Sequence, residues 1–542
     1  MPVPSSAFPV SERNLIHEIL AILELTKQNP INSALVATGL AGAYLLYNMV
    51  QRACLLRSLQ GPASPSFFRV RHLSQFFDPA TGHDFYAMLR SRYGRVCRLK
   101  GALGEDQLWI SDPRALQDIA MKESNNFLIS RELTAFVEMI IGSTIITLEN
   151  AILSDTNGGD GKGTVDVFKW INMVSVEMIG QAGLGHTFEV MDGKGEYLIY
   201  ALGRWVIILS ELWWARPFLP QLRKIGSGLF GRFVIERIPL SSVQELIKIS
   251  DTLTNMAADM YKRKKDAIAN GTSHTQVGAG SDIMTLLLKQ NEILPPNQRM
   301  PEEEVVSQIF GLVFAGSDGT SSAITTTLNL LVQHPEIQDK LRAEVQEAYH
   351  QYGQDLDYDQ LSSLTLLDAI CRESLRLFPA QPVAERTAMK DWTLTLHQPV
   401  KSSDGKTMIS HVPVKKGTQI YIGIDAANRD KQIWGDDADE FKPSRWLGDL
   451  PASVKDSKMP SAYSSIMTFW GGPKACIGIK FAPLQMKLVL SRLIYKFKFE
   501  NGRETISFNI EGVYKPYVVR EDGTRETRAS MPLKVTLVGD SE

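Results

Sequence analysis

The sequence predicts a mainly α fold with a small β region, and two observations predict it. From Val165 to about Tyr349 the apolar residues recur with helical spacing almost throughout. Short β-rich stretches lie outside that span: "GRVCRLK" and "DQLWISDP" form a strand pair near the start, and strands and turns fill Asp391 to Ile424. In that later run, "SSDGK" and "VKKGT" are typical of hairpin turns. Helices are therefore expected to dominate.

The bulk composition is that of an ordinary folded protein. The 542 residues are 44% hydrophobic and 22% charged, with a net charge of −2 and no long acidic or basic run. Nothing in this balance indicates a nucleic-acid partner. The cysteines are too few and too scattered for a disulfide framework or a paired-cysteine zinc site, so a reducing compartment and a specialised role for at least one of them are the default interpretations. The four are Cys54, Cys97, Cys371 and Cys476.

The front of the chain predicts a single membrane anchor. Residues 32–51, "NSALVATGLAGAYLLYNMVQ", carry no charge, and the segment has about as many residues as a helix needs to cross a bilayer. Arginines dominate the flank after this segment, which predicts that residues 1–31 are lumenal and that the bulk of the chain is cytosolic. Residues 52–68 are predicted to be a hinge rich in Gly, Pro and Ser, and 69–542 the folded domain. The alternative for the anchor is a buried amphipathic helix of the main domain.

The stretch "FWGGPKACIGIKFA", residues 469–482, frames Cys476 with glycines. A glycine-rich loop lets the backbone approach a flat ligand closely. A helix predicted just after Cys476 would direct its N-terminal N–H groups at the sulfur, and these conditions hold a cysteine as thiolate. A thiolate bound axially to haem iron pushes electron density toward the iron and favours O–O cleavage. The alternative is that Cys476 is a small buried hydrophobic residue in a turn.

Two further elements precede that loop. In "RESLR", Glu373 and Arg376 stand three residues apart on a helix, a spacing that usually gives a solvated pair of small energetic value. The apolar neighbours Leu375, Leu377 and Phe378 indicate instead that this helix is largely buried. A buried pair needs further partners, and Arg445 in "FKPSRW" is the candidate.

The third element is "GLVFAGSDGTSS", residues 311–322, inside an apolar helical stretch. Each glycine in a helix costs roughly 1 kcal/mol relative to Ala, so its glycines indicate that something comes close to the helix. Polar groups here include Asp318 and Thr320. A groove over a flat cofactor, with hydroxyl and carboxyl groups that pass protons, would account for both features. The alternative is a glycine-mediated helix crossing with solvent-facing polar residues.

These elements follow one order along the chain: the glycine-bearing helix, the Glu-x-x-Arg helix, "FKPSRW" and the glycine-framed cysteine. In that order, and in the style of "AANRDKQIWGDDADEFKPSRWL", the sequence resembles the cytochromes P-450, which are haem-thiolate monooxygenases, and is similar to their fungal microsomal members. The resemblance covers about residue 60 to the C-terminus, and its cysteine signature is highly specific. It implies the cytochrome P-450 fold with an N-terminal transmembrane helix, and a haem-thiolate catalytic domain at 69–542.

The resemblance also implies roles for individual residues. Cys476 is the implied axial ligand of the haem iron. Arg386 in "VAERTA" matches a position that often contacts a haem propionate. Lys474 stands where the family usually has arginine; it keeps the positive charge for a propionate but cannot form the bidentate contact of a guanidinium. Asp318 and Thr320 are the implied catalytic, proton-passing residues. The other implied cofactor-binding positions are Phe469, Gly472, Gly478, Ala315 and Gly316; the implied structural triad is Glu373, Arg376 and Arg445; and the implied walls of the substrate pocket are Phe314, Ala315 and 380–383.

Two departures from the family bear on activity. Gly319 stands where the family usually has the threonine that helps to deliver protons, and the neighbouring Thr320 points about 100° away around a helix. In addition, no Lys, Arg or His occurs from Glu132 to Gly161, where the resemblance implies a basic helix that grips the propionates. The hypothesis for this second departure is a skipped exon in the gene, or a degenerate paralogue.

The predicted activity is insertion of one oxygen atom from O2 into an apolar organic substrate by an enzyme that carries haem b. Electrons would come from NADPH through a separate reductase, or from a cytochrome b-type donor, docked near Lys474 and Lys480. The predicted location is the endoplasmic reticulum membrane, in contact with lipid, and the stretch 204–222, rich in Trp and aliphatic residues, is predicted to line substrate entry and to dip into the membrane. The alternatives are a haem-thiolate isomerase or dehydratase, and a non-catalytic haem-binding protein.

Overall fold

The computed structural model describes residues 81–101, 106–116, 147–156, 162–212, 228–272, 282–353 and 356–538, with short stretches between 56 and 78. The predicted lumenal segment, the anchor and much of the hinge lie outside these residues. So do most of the span without basic residues and the second half of the stretch 204–222. Within the described part of the chain, no helix combines the length and the apolar character needed to cross a bilayer.

Helices make up most of the described chain, as predicted. The helices are α1 (Arg71–Phe76), α2 (Gly82–Tyr93), α3 (Val167–Met178), α4 (Glu196–Glu211), α5 (Gly228–Ile235), α6 (Ser241–Ala269), α7 (Ile283–Ile293), α8 (Glu302–Gln333), α9 (Pro335–Tyr352), α10 (Tyr358–Ser363), α11 (Thr365–Leu377), α12 (Ile424–Asn428), α13 (Lys431–Trp434), α14 (Ala452–Asp456) and α15 (Phe481–Lys496). A π-helical turn, Ile179–Gly183, continues α3 directly.

The strands form four small sheets. They are β1 (Val96–Lys100), β2 (Asp106–Ile110), β3 (Lys162–Asp166), β4 (Val383–Thr387), β5 (Trp392–Lys401), β6 (Met408–Val414), β7 (Gln419–Gly423), β8 (Phe497–Asn501), β9 (Thr505–Glu511), β10 (Val513–Val519) and β11 (Pro532–Leu537). The sheet orders are β1-β2-β7-β4, β3-β11-β8, β5-β6 and β9-β10.

The two strand regions that the sequence predicted are both present, with one correction. Strands β1 and β2 pair antiparallel with Val96 opposite Ile110, as expected. The "SSDGK" turn joins the paired strands β5 and β6. The interpretation of "VKKGT" as a hairpin is wrong: Gly417 makes a turn there with φ +86°, but β7 then leaves β6 and pairs with β2 and β4. The turn is local, whereas the partner of the strand that follows is chosen by the larger sheet.

Helix α8 is the central element of the described chain. Its first turn holds Glu302, Glu303 and Glu304, where the positive end of the helix dipole favours carboxylates. It ends before His334, because the proline that follows disfavours the helical conformation for that residue. Its 32 residues correspond to a length of about 48 Å. It packs against α3, α6, α11, α15 and β10, so it passes through the main hydrophobic core.

Candidate active site

The loop before Cys476 is folded by its glycines. Trp470 and Gly472 both have positive φ, +62° and +64°. A Cβ on Gly471 would lie 1.6 Å from the carbonyl oxygen of Pro460, so only glycine fits between these two loop segments. The backbone N–H of Cys476 then donates to the carbonyl of Phe469 at 2.8 Å, which closes the loop, and the Phe469 side chain is buried. The predicted glycine frame therefore presents the cysteine at a fixed position.

Cys476 differs from the other described cysteines in its exposure. Cys97 and Cys371 are buried, and burial raises the pKa of Cys371 to about 12, whereas Cys476 is exposed. The protein around its sulfur still raises the pKa of the Cys476 thiol, mainly by desolvation, while a hydrogen bond from the backbone N–H of Gly478 lowers it. The following helix, α15, begins only at Phe481, after a 3-10 turn at Ile477–Ile479. The predicted helix after Cys476 is thus present, and the thiolate state of the sulfur stays a prediction.

Arg386 and Lys474 are the two described cations that were predicted to bind haem propionates. Arg386, on β4, is half-buried; its Nη1 donates to the carbonyl of Glu385 at 2.7 Å, and its guanidinium stacks over the ring of Trp470, 4.5 Å from the ring centre. Burial lowers the pKa of this guanidinium. No carboxylate of the described residues forms an ion pair with it, so it offers free donors beside the cysteine loop. Lys474 is exposed on that loop.

Glu373, Arg376 and Arg445 meet in one buried network. The guanidinium of Arg376 donates to both carboxylate oxygens of Glu373, at 2.9 and 2.8 Å, and both side chains have no exposed surface. Arg445 donates to the same carboxylate at 3.4 Å. Trp446 Nε1 and the backbone N–H of Lys442 also donate to it, at 2.8 and 3.1 Å. A carboxylate with this many donors is fully compensated in the interior, so the network ties α11 to the segment 442–446.

Arg376 also binds the end of α12 and the segment after α13. Its remaining N–H groups donate to the carbonyls of Asn428, Ala438 and Glu440, at 3.0, 2.6 and 3.2 Å. Asn428 in turn contacts the segment just before the cysteine loop, where its side chain accepts from the N–H of Met467 at 2.7 Å. The sequence indicated the triad but gave no sign of these carbonyl acceptors, because any residue type provides one.

The glycines of α8 have three different surroundings. A Cβ on Gly316 would lie 2.6 Å from the Cγ1 and Cδ1 atoms of Ile179, in the π-helical turn after α3. The close approach at this position is therefore made by another helix, which was the alternative explanation. In the part of the chain that the structure describes, a Cβ on Gly311 would meet no other atom within 4 Å, and a Cβ on Gly319 would meet only Ala380, at 3.9 Å. Ala315, between them on the same face, is exposed. With respect to the described residues, this face of α8 leaves room for a ligand.

The two predicted proton-passing residues are both buried, and each is engaged within the protein. The Thr320 hydroxyl donates to the carbonyl of Gly316 at 3.1 Å. Asp318 Oδ1 lies 3.6 Å from the ammonium of Lys515 on β10. Burial raises the pKa of the Asp318 carboxyl, and the lysine opposes that rise. Sequence reasoning missed Lys515; the alternation of polar residues in "SFNIEGVYKPY" was the only signal for it.

A haem fits the residues that the structure describes. The thiol of Cys476 is exposed, a half-buried guanidinium without a carboxylate partner stands beside its loop, and one face of α8 is lined by residues with little or no side chain. Sulfur, guanidinium and a flat open face are the donor set and the space that an iron porphyrin with propionates requires.

Comparison with known proteins gives a consistent result. A profile of the cytochrome P-450 family matches residues 114–516. The chain is 35% identical to cytochrome P-450 monooxygenase 91 of Postia placenta, over 89% of this chain and 94% of that protein. It is also 35% identical to cytochrome P-450 monooxygenase 81 of the same fungus, over 92% and 97%. It is 32% identical to the ganoderic acid synthetase of Ganoderma lucidum, over 93% and 99%. From the glycine-framed cysteine, the buried triad and these matches, the chain is a monooxygenase that belongs to the cytochrome P-450 family.

Proposed function

We propose that the protein binds haem b through Cys476 and inserts one oxygen atom from O2 into an apolar organic substrate, with electrons from NADPH through a separate reductase. The observation that carries this proposal is the exposed Cys476 in a loop whose close backbone approach at Gly471 admits only glycine. The haem supplies oxygen activation when it is bound. Arg386 and Lys474 would bind the propionates, and Phe469, Gly472 and Gly478 would support the loop on its protein side.

The first experiment is the carbon monoxide difference spectrum of the reduced chain. We expect the strongly red-shifted Soret band of a thiolate-bound ferrous haem. Cys476→Ser should abolish that band, while Cys371→Ala, which changes a buried cysteine of α11, should retain it. An unshifted band in the unchanged chain would contradict the assignment of Cys476 as ligand.

Proton delivery is proposed to depend on Asp318 more than on Thr320. The Thr320 hydroxyl proton is held by the Gly316 carbonyl, whereas Asp318 Oδ2 has no partner among the described residues and is free to accept. Gly319→Thr would restore a hydroxyl on the open face, where the neighbouring Ala380 leaves room for a Cβ. We expect this variant to raise the fraction of consumed NADPH that appears in product. An unchanged fraction would mean that the missing hydroxyl is not what limits coupling.

Electron donors are proposed to dock on the face that carries Lys474 and Lys480. Both are exposed, and in the described part of the chain neither forms an ion pair. A cavity of about 400 Å³ adjoins Lys480 and is also lined by Arg372 and Lys487, whose charges are offset in part by Asp368, the ion-pair partner of both. Lys480→Glu should slow reduction of the haem by the reductase at low salt, because surface charges steer association. Lys406→Glu, an exposed lysine in the β5–β6 turn, is the matched control and should leave the rate unchanged.

The location is proposed to be the endoplasmic reticulum membrane, with residues 32–51 as the anchor and a second contact near α5. On α5 and the residues beside it, several large apolar side chains are exposed, namely Phe230, Phe233, Val234 and Ile235. Such a patch is larger than isolated exposed residues explain. Phe230→Ser with Phe233→Ser, in a chain without residues 1–52 that retains the carbon monoxide band, should weaken vesicle binding. Unaltered binding would contradict the second contact.

The isomerase or dehydratase alternative is not favoured, because the relatives are named as monooxygenases. Its test is whether turnover requires NADPH and reductase. The hypothesis of a missing segment near 132–161 stays a prediction. The observation behind it is that no Lys, Arg or His occurs from Glu132 to Gly161. An uninterrupted transcript that encodes these residues would remove the skipped-exon explanation.

A further inference from the structure

The hairpin β9–β10 has a polar face that is buried. Asn509 and Lys515 are directly opposite each other in the antiparallel pair, so their side chains lie on the same face. Glu511 continues that face. These three residues are only 7%, 5% and 5% exposed, and the hairpin packs against α8 and α4. Polar side chains that are buried in this way require partners.

The partners that the protein provides are incomplete. The Lys515 ammonium lies 3.6 Å from Asp318 Oδ1 and 4.0 Å from Glu511 Oε2, both beyond an ordinary hydrogen bond. Glu511 Oε1 accepts from the Tyr517 hydroxyl. In the described part of the chain, Asp318 Oδ2 and Asn509 Oδ1 are buried and accept no hydrogen bond.

The unpaired groups define what would complete the cluster. Among the described residues, the two oxygens have no donor and the Lys515 ammonium has no acceptor at hydrogen-bond distance. A group that completes the cluster must therefore both donate and accept. The two carboxylates outnumber the single ammonium, which disfavours an anionic ligand. A neutral hydroxyl meets both conditions.

An apolar, aromatic surface lies next to the cluster. Phe314 stands one turn before Asp318 on α8, and Phe310 one turn earlier. The rings of Phe310 and Phe314 are 6.3 Å apart, and the ring of Trp205 on α4 meets Phe310 edge to face at 5.5 Å. All three are half-buried. This surface offers contact for an apolar molecule whose polar end reaches the cluster.

We propose that Lys515 and Asn509, beside Asp318, bind a hydroxyl group of the substrate, so that the enzyme selects neutral apolar alcohols. This inference rests on the proposed function, because it takes the aromatic surface beside α8 as part of the substrate pocket. Lys515 and Asn509 are specificity-determining residues, and the hydroxyl orients the apolar body along Phe310 and Phe314.

The test uses the full haem-loaded chain and neutral alcohols that range from monocyclic to polycyclic, each paired with its own methyl ether. Binding is followed by the shift of the Soret band and by the rise in melting temperature. A methyl ether cannot donate, so we expect the best alcohol to bind about tenfold more tightly than its ether, the usual worth of one hydrogen bond. Asn509→Leu should remove about tenfold from alcohol binding and less than about twofold from ether binding. Asn501→Leu, on the exposed end of β8, is the matched control and should change neither.

The outcomes separate the possible roles of the cluster. Because the Asn509 oxygen is unpaired, Asn509→Leu should not lower the melting temperature of the ligand-free chain, and a large drop would assign Asn509 a structural role and overturn the inference. Lys515→Met tests the donor side independently, with the same expected loss for alcohols. Equal binding of alcohols and ethers by the unchanged chain would mean that the cluster holds water only. If the ethers still support NADPH-dependent turnover in that case, the inference fails while the proposed function stands.

Discussion

Replacing the three glycines of α8 with alanine should separate their roles. A glycine-to-alanine change inside a helix adds about 1 kcal/mol of stability where the new methyl group fits. Among the described residues, no atom lies within 4 Å of the new Cβ at Gly311, and at Gly319 the Ala380 methyl alone does, at 3.9 Å. Both single variants should therefore raise the free energy of unfolding by about 1 kcal/mol.

At Gly316 the same change should give no gain. The new Cβ would lie 2.6 Å from two side-chain atoms of Ile179 and 3.2 Å from its Cβ, and Ile179 is 3% exposed, so it has little room to move. Overpacking of this kind costs about 1–3 kcal/mol, which cancels or exceeds the gain in helix propensity. Gly316→Ala should therefore be between neutral and about 2 kcal/mol less stable than the unchanged chain.

Denaturant titration of the three variants, monitored by far-UV circular dichroism, gives the free energy of unfolding of each and so ranks their stabilities. A double-mutant cycle with Ile179→Ala should recover stability in the Gly316→Ala background, with a coupling of about 1 kcal/mol or more. If Gly316→Ala proved as stabilising as Gly319→Ala, Ile179 would not be the group that requires this glycine. A loss of haem without a loss of stability in Gly316→Ala would instead favour a cofactor-facing role.

Three other predictions concern the triad, the propionate contact and pH. Glu373→Gln should lower the free energy of unfolding by about 3–5 kcal/mol in urea titration, because it leaves the buried Arg376 without its counter-charge. Glu336→Gln, at an exposed residue, is the control. An unshifted urea midpoint in Glu373→Gln would contradict the reasoning. Arg386→Ala should speed the loss of haem and Arg386→Lys should do so less, and equal rates in all three chains would remove the propionate assignment. Burial lowers the pKa of His186 in the folded chain. As the pH falls, His186 is therefore protonated in the unfolded chain at a higher pH than in the folded chain. The free energy of unfolding should thus decrease as the pH drops below about 6.5. His186→Gln should lose less stability than the unchanged chain between about pH 6.5 and 5, and parallel curves would contradict this.

The polar residues of α8 show where the prediction and the structure differ most. Asp318 and Thr320 were predicted as a pair that passes protons, but their side chains have separate partners, Lys515 and the Gly316 carbonyl. The helix period places Thr320 away from the face of Gly319, and this much was predictable. The contact between Lys515 and Asp318 was not predictable, because Lys515 lies on a hairpin near the C-terminus, about 200 residues after Asp318 along the chain.

The sequence by itself determined what depends on neighbouring residues along the chain. The helical period, the strand alternation, the glycine frame of Cys476 and the Glu373–Arg376 spacing are all short-range patterns, and each appears in the structure near its expected bounds. Arg445 was found because a buried carboxylate demands more donors than one arginine provides. Only the tertiary structure decided which distant groups meet: Ile179 against Gly316, Lys515 against Asp318, and β7 between β2 and β4. Such meetings are set by the packing of whole elements around one core, and no local pattern of residues encodes them.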